Sequence, residues 1–142
     1  MASSRYDKLL RFWNSNNYTN ISNIDNIESN CYNESLCKLD DDILCVGGNN
    51  SKGFYLIKIS THQLIKNIPG PSNVFCIYKC FDNCFLCSIL KNNKCSLIKC
   101  KFHNQNFIKK IEKTSNDGIY NCIELNEETV VSSGFSIKLW KY

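Results

Sequence analysis

The sequence predicts an all-β protein built from repeated units of four short antiparallel strands. The first observation behind this prediction is an internal repeat in the 142-residue chain. Four segments align, LLRFWN, YLIKIS, SLIKCK and SIKLWK, and their spacings are 46, 41 and 40 residues between the anchors Trp13, Ile59, Cys100 and Trp140. The chain therefore repeats with a period of about 42 residues.

The second observation is a set of turns that keeps the same period. Acidic or amide turns between two apolar runs occur at Asp42, Asn83 and Glu128, which are 41 and 45 residues apart.

The third observation is the shortness of the apolar runs. Between Val74 and Ile111, polar turns at 82–83, 91–94 and 103–106 leave four short runs. Runs of this length between Asn- and Asp-rich turns indicate strands. Helical spacing also occurs in the first segment, but the repeat alignment favours strands.

A period of about 42 residues with four strands in each unit is typical of a β-propeller blade. We therefore expect β-propeller blades of four antiparallel strands in an incomplete ring of about three blades. In this single domain we place a partial blade at 2–27, blades at 28–70 and 71–114, and a partial blade at 115–142. Residues 18–24 could in principle supply the strand missing after Trp140, although the geometry of so short an arc opposes it.

An open arc has consequences for association. It leaves an apolar blade face and unpaired strand edges at its ends, and such features invite pairing with another chain. Complete rings usually contain roughly 4 to 8 blades. We therefore expect either self-association into a composite ring or a place in a longer propeller.

Several segments resemble WD-repeat propellers. Residues 7–14 are similar to the ending of a WD repeat, in which Asp, two variable residues, an apolar-basic-apolar triplet and Trp-Asp close the third strand, with Asn14 in place of the final Asp. Residues 120–140 are similar to a WD repeat read from its first strand to its third. The resemblance implies a structural blade signature formed by Asp7, Trp13, Ser133 and Trp140.

The middle repeats depart from the WD pattern. They keep neither the Trp nor the turn Asp, and none of the repeats carries the His that usually precedes the first strand. The pair Gly47-Gly48 is similar to kelch blades instead. The WD resemblance implies a non-catalytic protein-interaction scaffold that takes part in multiprotein assemblies. We predict no catalytic, metal-binding or cofactor-binding residues. His62 and His103 both fall in expected turns, and the blade signature does not specify which residues bind the partner.

The ten cysteines suggest an alternative function, a zinc-binding module. Cys76, Cys80, Cys84 and Cys87 are spaced by 4, 4 and 3 residues, and four thiolates can hold zinc tetrahedrally. However, residues 84–87 read as a strand, where side chains three positions apart point to opposite faces. We therefore favour buried thiols that pack as small apolar residues, and we expect no disulfides.

Composition and charge limit the partners. Hydrophobic residues make up 43% and charged residues 21% of the chain, as in folded soluble proteins. The net charge of +4 is spread along the sequence, and the densest lysine run, between Lys99 and Lys113, would divide between two strand faces. We therefore expect protein partners rather than nucleic acid. The first 14 residues lack the apolar core of a secretory signal, and no run approaches the roughly 20 residues of a membrane span. We expect a cytoplasmic protein without membrane association.

Overall fold

The computed structural model describes residues 1–4, 7, 9–25, 27, 35–48, 53–70, 73–82, 84–104 and 106–141. Within these residues the regular structure consists of fourteen β-strands. They are β1 (Ala2–Ser4), β2 (Leu10–Trp13), β3 (Asn20–Ile24), β4 (Ser35–Lys38), β5 (Ile43–Gly47), β6 (Gly53–Lys58), β7 (Gln63–Pro69), β8 (Asn73–Lys79), β9 (Cys84–Lys91), β10 (Lys94–His103), β11 (Asn106–Ser115), β12 (Ile119–Asn126), β13 (Thr129–Gly134) and β14 (Ile137–Lys141). The described residues contain no helix long and apolar enough to cross a membrane.

The strands form four antiparallel sheets in chain order. Sheet I contains β1 to β3, sheet II β4 to β7, sheet III β8 to β11, and sheet IV β12 to β14. Within each sheet, each strand pairs with the next one along the chain, so each sheet is a meander. The predicted all-β fold of four-stranded antiparallel units is confirmed, with complete units in sheets II and III and three strands in each end sheet.

The strand β3 does not complete the last sheet. It pairs with β2 in sheet I, where Ile24 lies opposite Leu10. Residues 20–24 are therefore already paired within the first sheet, in agreement with the geometric objection to their supplying a strand after Trp140.

Local sequence explains how the strands reverse direction. The strands β9 and β10 are joined by Asn92 and Asn93, whose φ angles are 51° and 59°. Asn tolerates this left-handed region better than most residues, and two such residues in succession make the turn that matches the twist of a hairpin. The polar turn that the sequence indicated at 91–94 is thus a two-residue connection that sets the register of Lys91 opposite Lys94.

The sheets pack face to face in the order I, II, III, IV, with one apolar cluster at each junction. In sheet II the alternation along β6 sends Tyr55 and Ile57 towards sheet I, and Phe54 and Leu56 towards sheet III. All four side chains are buried. A sheet covered on both faces needs apolar residues on both sides of its strands. As far as the described residues extend, sheets I and IV each have one covered face and one uncovered face.

Candidate interaction faces at the two ends of the arc

The uncovered face of sheet IV is apolar. Alternation along β13 buries Val130 against sheet III and turns Val131 outwards. Ile123 in β12 and Leu139 in β14 lie directly opposite Val131, one on each side, so the three residues form a row across the sheet. Leu125 and Ile137 are also exposed. We call this surface the open face of sheet IV; its members are Ile123, Leu125, Val131, Ile137 and Leu139.

The other sheets show what this face is built to contact. Leu10, Leu56 and Leu97 lie three residues before the first three anchors of the repeat. Each of these leucines is covered by the following sheet. Their exposed fractions are 1%, 0% and 2%. Ile137 holds the same position before the last anchor, but it is 79% exposed. The open face of sheet IV is therefore a blade-packing surface that no described residue covers.

The uncovered face of sheet I lies at the other end of the arc. Phe12 stacks on His62 of sheet II, with ring centroids 4.2 Å apart, and the Ser22 hydroxyl lies 2.6 Å from His62 Nδ1. The side chains that alternate with Phe12 and Ser22 point away from sheet II. We call this surface the open face of sheet I; its members are Ser3, Arg11, Trp13, Ile21 and Asn23.

A hydrogen bond fixes the indole on the open face of sheet I. Trp13 Nε1 donates to Ser3 Oγ at 2.7 Å. Beside it, Arg11 donates to the carboxylate of Asp7 at 3.1 Å, and this hydrogen bond raises the pKa of Arg11. Of the expected signature residues, Asp7 pairs with Arg11, and the indole of Trp13 bonds to Ser3.

The last sheet repeats the same Trp–Ser contact, but with a different serine from the one expected. Trp140 Nε1 donates to Ser132 Oγ at 2.8 Å, and Ser132 is only 2% exposed. Ser133, the residue we expected, is exposed. The reason is the strand register: Val130 lies opposite Trp140, so Ser132 shares the face of Trp140 while Ser133 points to the other side. Sequence reasoning missed Ser3 and Ser132, because the serine that faces each indole depends on the register between two strands.

Apolar and sulfur contacts replace the Trp–Ser pair in the middle sheets. In sheet III, Cys100 and Cys87 occupy the two positions, with Cys87 opposite Ile98. The Cys87 thiol donates to Cys100, which lowers the pKa of Cys100. In sheet II the corresponding residues are Ile59 and Leu44, which pack together against sheet I. In the middle sheets, therefore, both the Trp position and the Ser position of this contact are occupied by other residues.

A buried ion pair joins sheets III and IV. Lys99 Nζ lies 2.7 Å from Glu124 Oε1 and 3.2 Å from Asp82 Oδ2. Burial alone would lower the pKa of Lys99, but its hydrogen bonds to Glu124 and Asp82 raise it overall. The backbone N–H of Phe81 donates to the second Glu124 oxygen at 2.8 Å. No sequence pattern indicated this cluster, because Lys99 and Glu124 come from strands of two different sheets and Asp82 from a turn.

The cysteines are divided between two junctions. All nine described cysteines are buried thiols outside disulfides, and Cys31 lies outside the described residues. Cys87 packs between sheets II and III, whereas Cys76, Cys80 and Cys84 pack between sheets III and IV. The alternation predicted for residues 84–87 is therefore confirmed, and the four thiols do not converge.

One group near Cys80 has the spacing of metal ligands. The sulfur of Cys80 and the carboxylates of Asp82 and Glu124 lie within 4.8 Å of one another. Lys99 bonds to both carboxylates, so its ammonium already provides the positive charge. Burial raises the pKa of the Cys80 thiol to about 12, and the charge of Glu124 adds to this shift. The group is thus a protonated thiol beside a compensated ion pair.

Comparisons with known proteins agree with this geometry. No protein-family model and no curated protein matches the chain. Among solved structures, the chain matches one titled "Crystal Structure of Mitotic Checkpoint Complex" with a TM-score of 0.80 and 13% identity over 99% of its length. It matches "Structure of U3-55K" with a TM-score of 0.70 and 12% identity, and "Crystal structure of RRP9 WD40 repeats" with 0.71 and 14%, again over 99% of its length.

The fold is that of part of a WD-repeat propeller. The expected resemblance to WD-repeat propellers is thereby confirmed at the level of the fold, as is the incomplete ring. The chain covers 45% of the first of these solved chains and 42% of each of the other two. It thus spans less than half the length of the propeller chains that it matches.

Proposed function

We propose that this chain is a non-catalytic protein-interaction scaffold that self-associates through its uncovered blade faces. The observation that carries the proposal is the exposure of Ile137, at 79%, where the three corresponding leucines are buried. Contiguous apolar surface of this kind marks sites of protein interaction. In this proposal the four sheets are the blades 2–27, 28–70, 71–114 and 115–142 of one domain.

The energy of association requires the whole face rather than one residue. Burying a large aliphatic side chain contributes about 1.5 to 3 kcal/mol, so Ile137 and Leu139 together would contribute about 3 to 6 kcal/mol. Association itself costs about 4 to 15 kcal/mol in lost freedom of movement. A partner therefore has to cover the row Ile123–Val131–Leu139 as well, which favours a flat β-sheet over a single inserted side chain.

The chemistry of the face favours protein over nucleic acid. Its five members are aliphatic, whereas a polyanion needs cationic side chains. The lysine run named above does not supply them in one place: Lys99 is buried in an ion pair, and Lys109 is paired with Glu112. Buried thiols are typical of a reducing compartment, which supports a cytoplasmic location.

Light scattering after size-exclusion chromatography tests the proposal. We expect the wild-type chain to associate at micromolar concentration, and Leu139→Lys to shift it to the mass of one chain, 16.4 kDa. Leu64→Lys is the matched control, because Leu64 is 47% exposed but lies in sheet II, which is covered on both faces. A monodisperse wild-type monomer at tens of micromolar would refute self-association. The open face of sheet IV would then be expected to pack against further blades of a longer polypeptide.

A further inference from the structure

We infer that the self-association is head-to-tail: the open face of sheet IV in one copy packs on the open face of sheet I in a second copy, and two copies close a single ring. This inference rests on the proposed self-association and adds the identity of the face that covers sheet IV. The alternative arrangement is a symmetric contact in which sheet IV packs on sheet IV.

The junctions inside the chain show the rule that supports head-to-tail packing. At the junction of sheets I and II, the face that carries Leu10 meets the face that carries the anchor Ile59. At the next junction, the face of Leu56 meets the face of Cys100. Sheets III and IV continue the rule with the remaining pair, Leu97 and the anchor Trp140. All three junctions thus join the face three residues before an anchor to the anchor face of the following sheet.

One face of each kind is left uncovered by the described residues. The face of Ile137 in sheet IV has no following sheet, and the face of the anchor Trp13 in sheet I has no preceding sheet. Packing sheet IV on sheet I of a second copy therefore repeats the junction that the chain already uses three times. A symmetric contact between two sheets IV would join two faces of one kind, a junction that occurs nowhere among the described sheets.

Charge and size agree with this arrangement. The five aliphatic members of the open face of sheet IV carry no charge, and the register places only Lys141 beside them, at the end of β14. On the open face of sheet I the guanidinium of Arg11 is already paired with Asp7. An uncompensated buried charge would be costly. Burial of Arg11 avoids this cost, because Asp7 already compensates its charge. Two copies of four sheets make eight, within the range of roughly 4 to 8 blades of closed rings. Two copies also approach the full length of chains of which one copy covers 45%.

Two complementary variants distinguish the arrangements. Leu139→Lys blocks the open face of sheet IV, where Leu139 is 71% exposed, and Ile21→Lys blocks the open face of sheet I, where Ile21 is 55% exposed. A head-to-tail ring needs both faces in each copy, so each variant alone should have the mass of one chain. An equimolar mixture retains one intact pair of faces and should form a two-chain species, at higher concentration than the wild type because one interface replaces two.

The outcomes are separable by light scattering of each variant and of the mixture. If Ile21→Lys remains a two-chain species alone and the addition of Leu139→Lys forms no further two-chain species, the symmetric arrangement is correct and our inference is wrong, while the proposed self-association stands. If the wild type is monomeric, the proposed function itself fails. Ile137→Lys and Asn23→Lys repeat the test with a second residue on each face, Leu64→Lys is the control, and far-ultraviolet circular dichroism verifies that each variant is folded.

Discussion

Replacement of Glu124 by Gln should destabilise the chain more than any other single loss of an ion pair among the described residues. The side chains of Lys99 and Glu124 are only 7% and 1% exposed, and their charged atoms are 2.7 Å apart. The substitution removes the negative charge but leaves the ammonium of Lys99 buried between two sheets. Asp82 remains 3.2 Å from Lys99, but its side chain is 49% exposed and therefore compensates less.

The expected loss of unfolding free energy is about 3 kcal/mol. Removal of one member of a buried ion pair costs about 3 to 5 kcal/mol, because an uncompensated charge stays in a poorly solvated site. We expect the lower end of this range, since Asp82 stays and the new amide oxygen can still accept the N–H of Phe81. The pKa of Lys99 is raised in the folded state, so the contribution is complete at neutral pH and disappears only as the pH rises above about 10.5.

Urea unfolding at pH 7 measures the effect. It should be followed in the Leu139→Lys background, since association would otherwise make stability depend on protein concentration. Glu112→Gln is the matched control, because Glu112 also lies 2.7 Å from a lysine, Lys109, but the two side chains are 35% and 59% exposed. Exposed pairs contribute about 0 to 1 kcal/mol. Equal losses of unfolding free energy for the two variants would refute the conclusion that the ion pair of Lys99 and Glu124 holds sheets III and IV together.

Three further predictions concern the indoles, the thiols and the metal content. Trp140→Phe should cost about 1 to 3 kcal/mol in urea unfolding, because it leaves the buried hydroxyl of Ser132 without its donor; Trp13→Phe should cost less, since Ser3 is less buried, and the opposite order would contradict the contact. In the native chain, a thiol reagent at pH 8 should modify Cys100 before Cys80, because the pKa of Cys100 is lowered and that of Cys80 is about 12, as mass spectrometry of timed samples would show. The same preparation should contain well under one zinc per chain, and its near-ultraviolet circular dichroism should survive a chelator; stoichiometric zinc with collapse on chelation would restore the zinc-module interpretation.

Several features could be predicted because they depend on short-range periodicity. The four anchors predicted the equivalent strands of the four sheets, and the leucine three residues before each anchor is buried wherever a following sheet exists. The separation of Cys84 from Cys87 onto opposite faces also follows from alternation along one strand. These inferences need only the two-residue period of a strand and the length of the repeat.

Contacts between strands could not be predicted with the same accuracy. Ser133 was expected beside Trp140, but the register places Ser132 there, and an error of one residue moves a side chain to the opposite face. The partner of Lys99 was not foreseen either. Glu124 is 25 residues away and in another sheet, and no local pattern encodes which face of β12 meets sheet III.

The sequence by itself determined the strand content, the repeat length and the division into blades, because these follow from the alternation of apolar residues and from turn residues that act over a few positions. Only the tertiary structure decided which of the two faces of each end sheet is uncovered. The strands of sheet IV carry apolar residues on both faces, so their sequence does not distinguish the side buried against sheet III from the side left open. That choice depends on packing between residues far apart in the chain, and it places Ile137 and Leu139 at the surface.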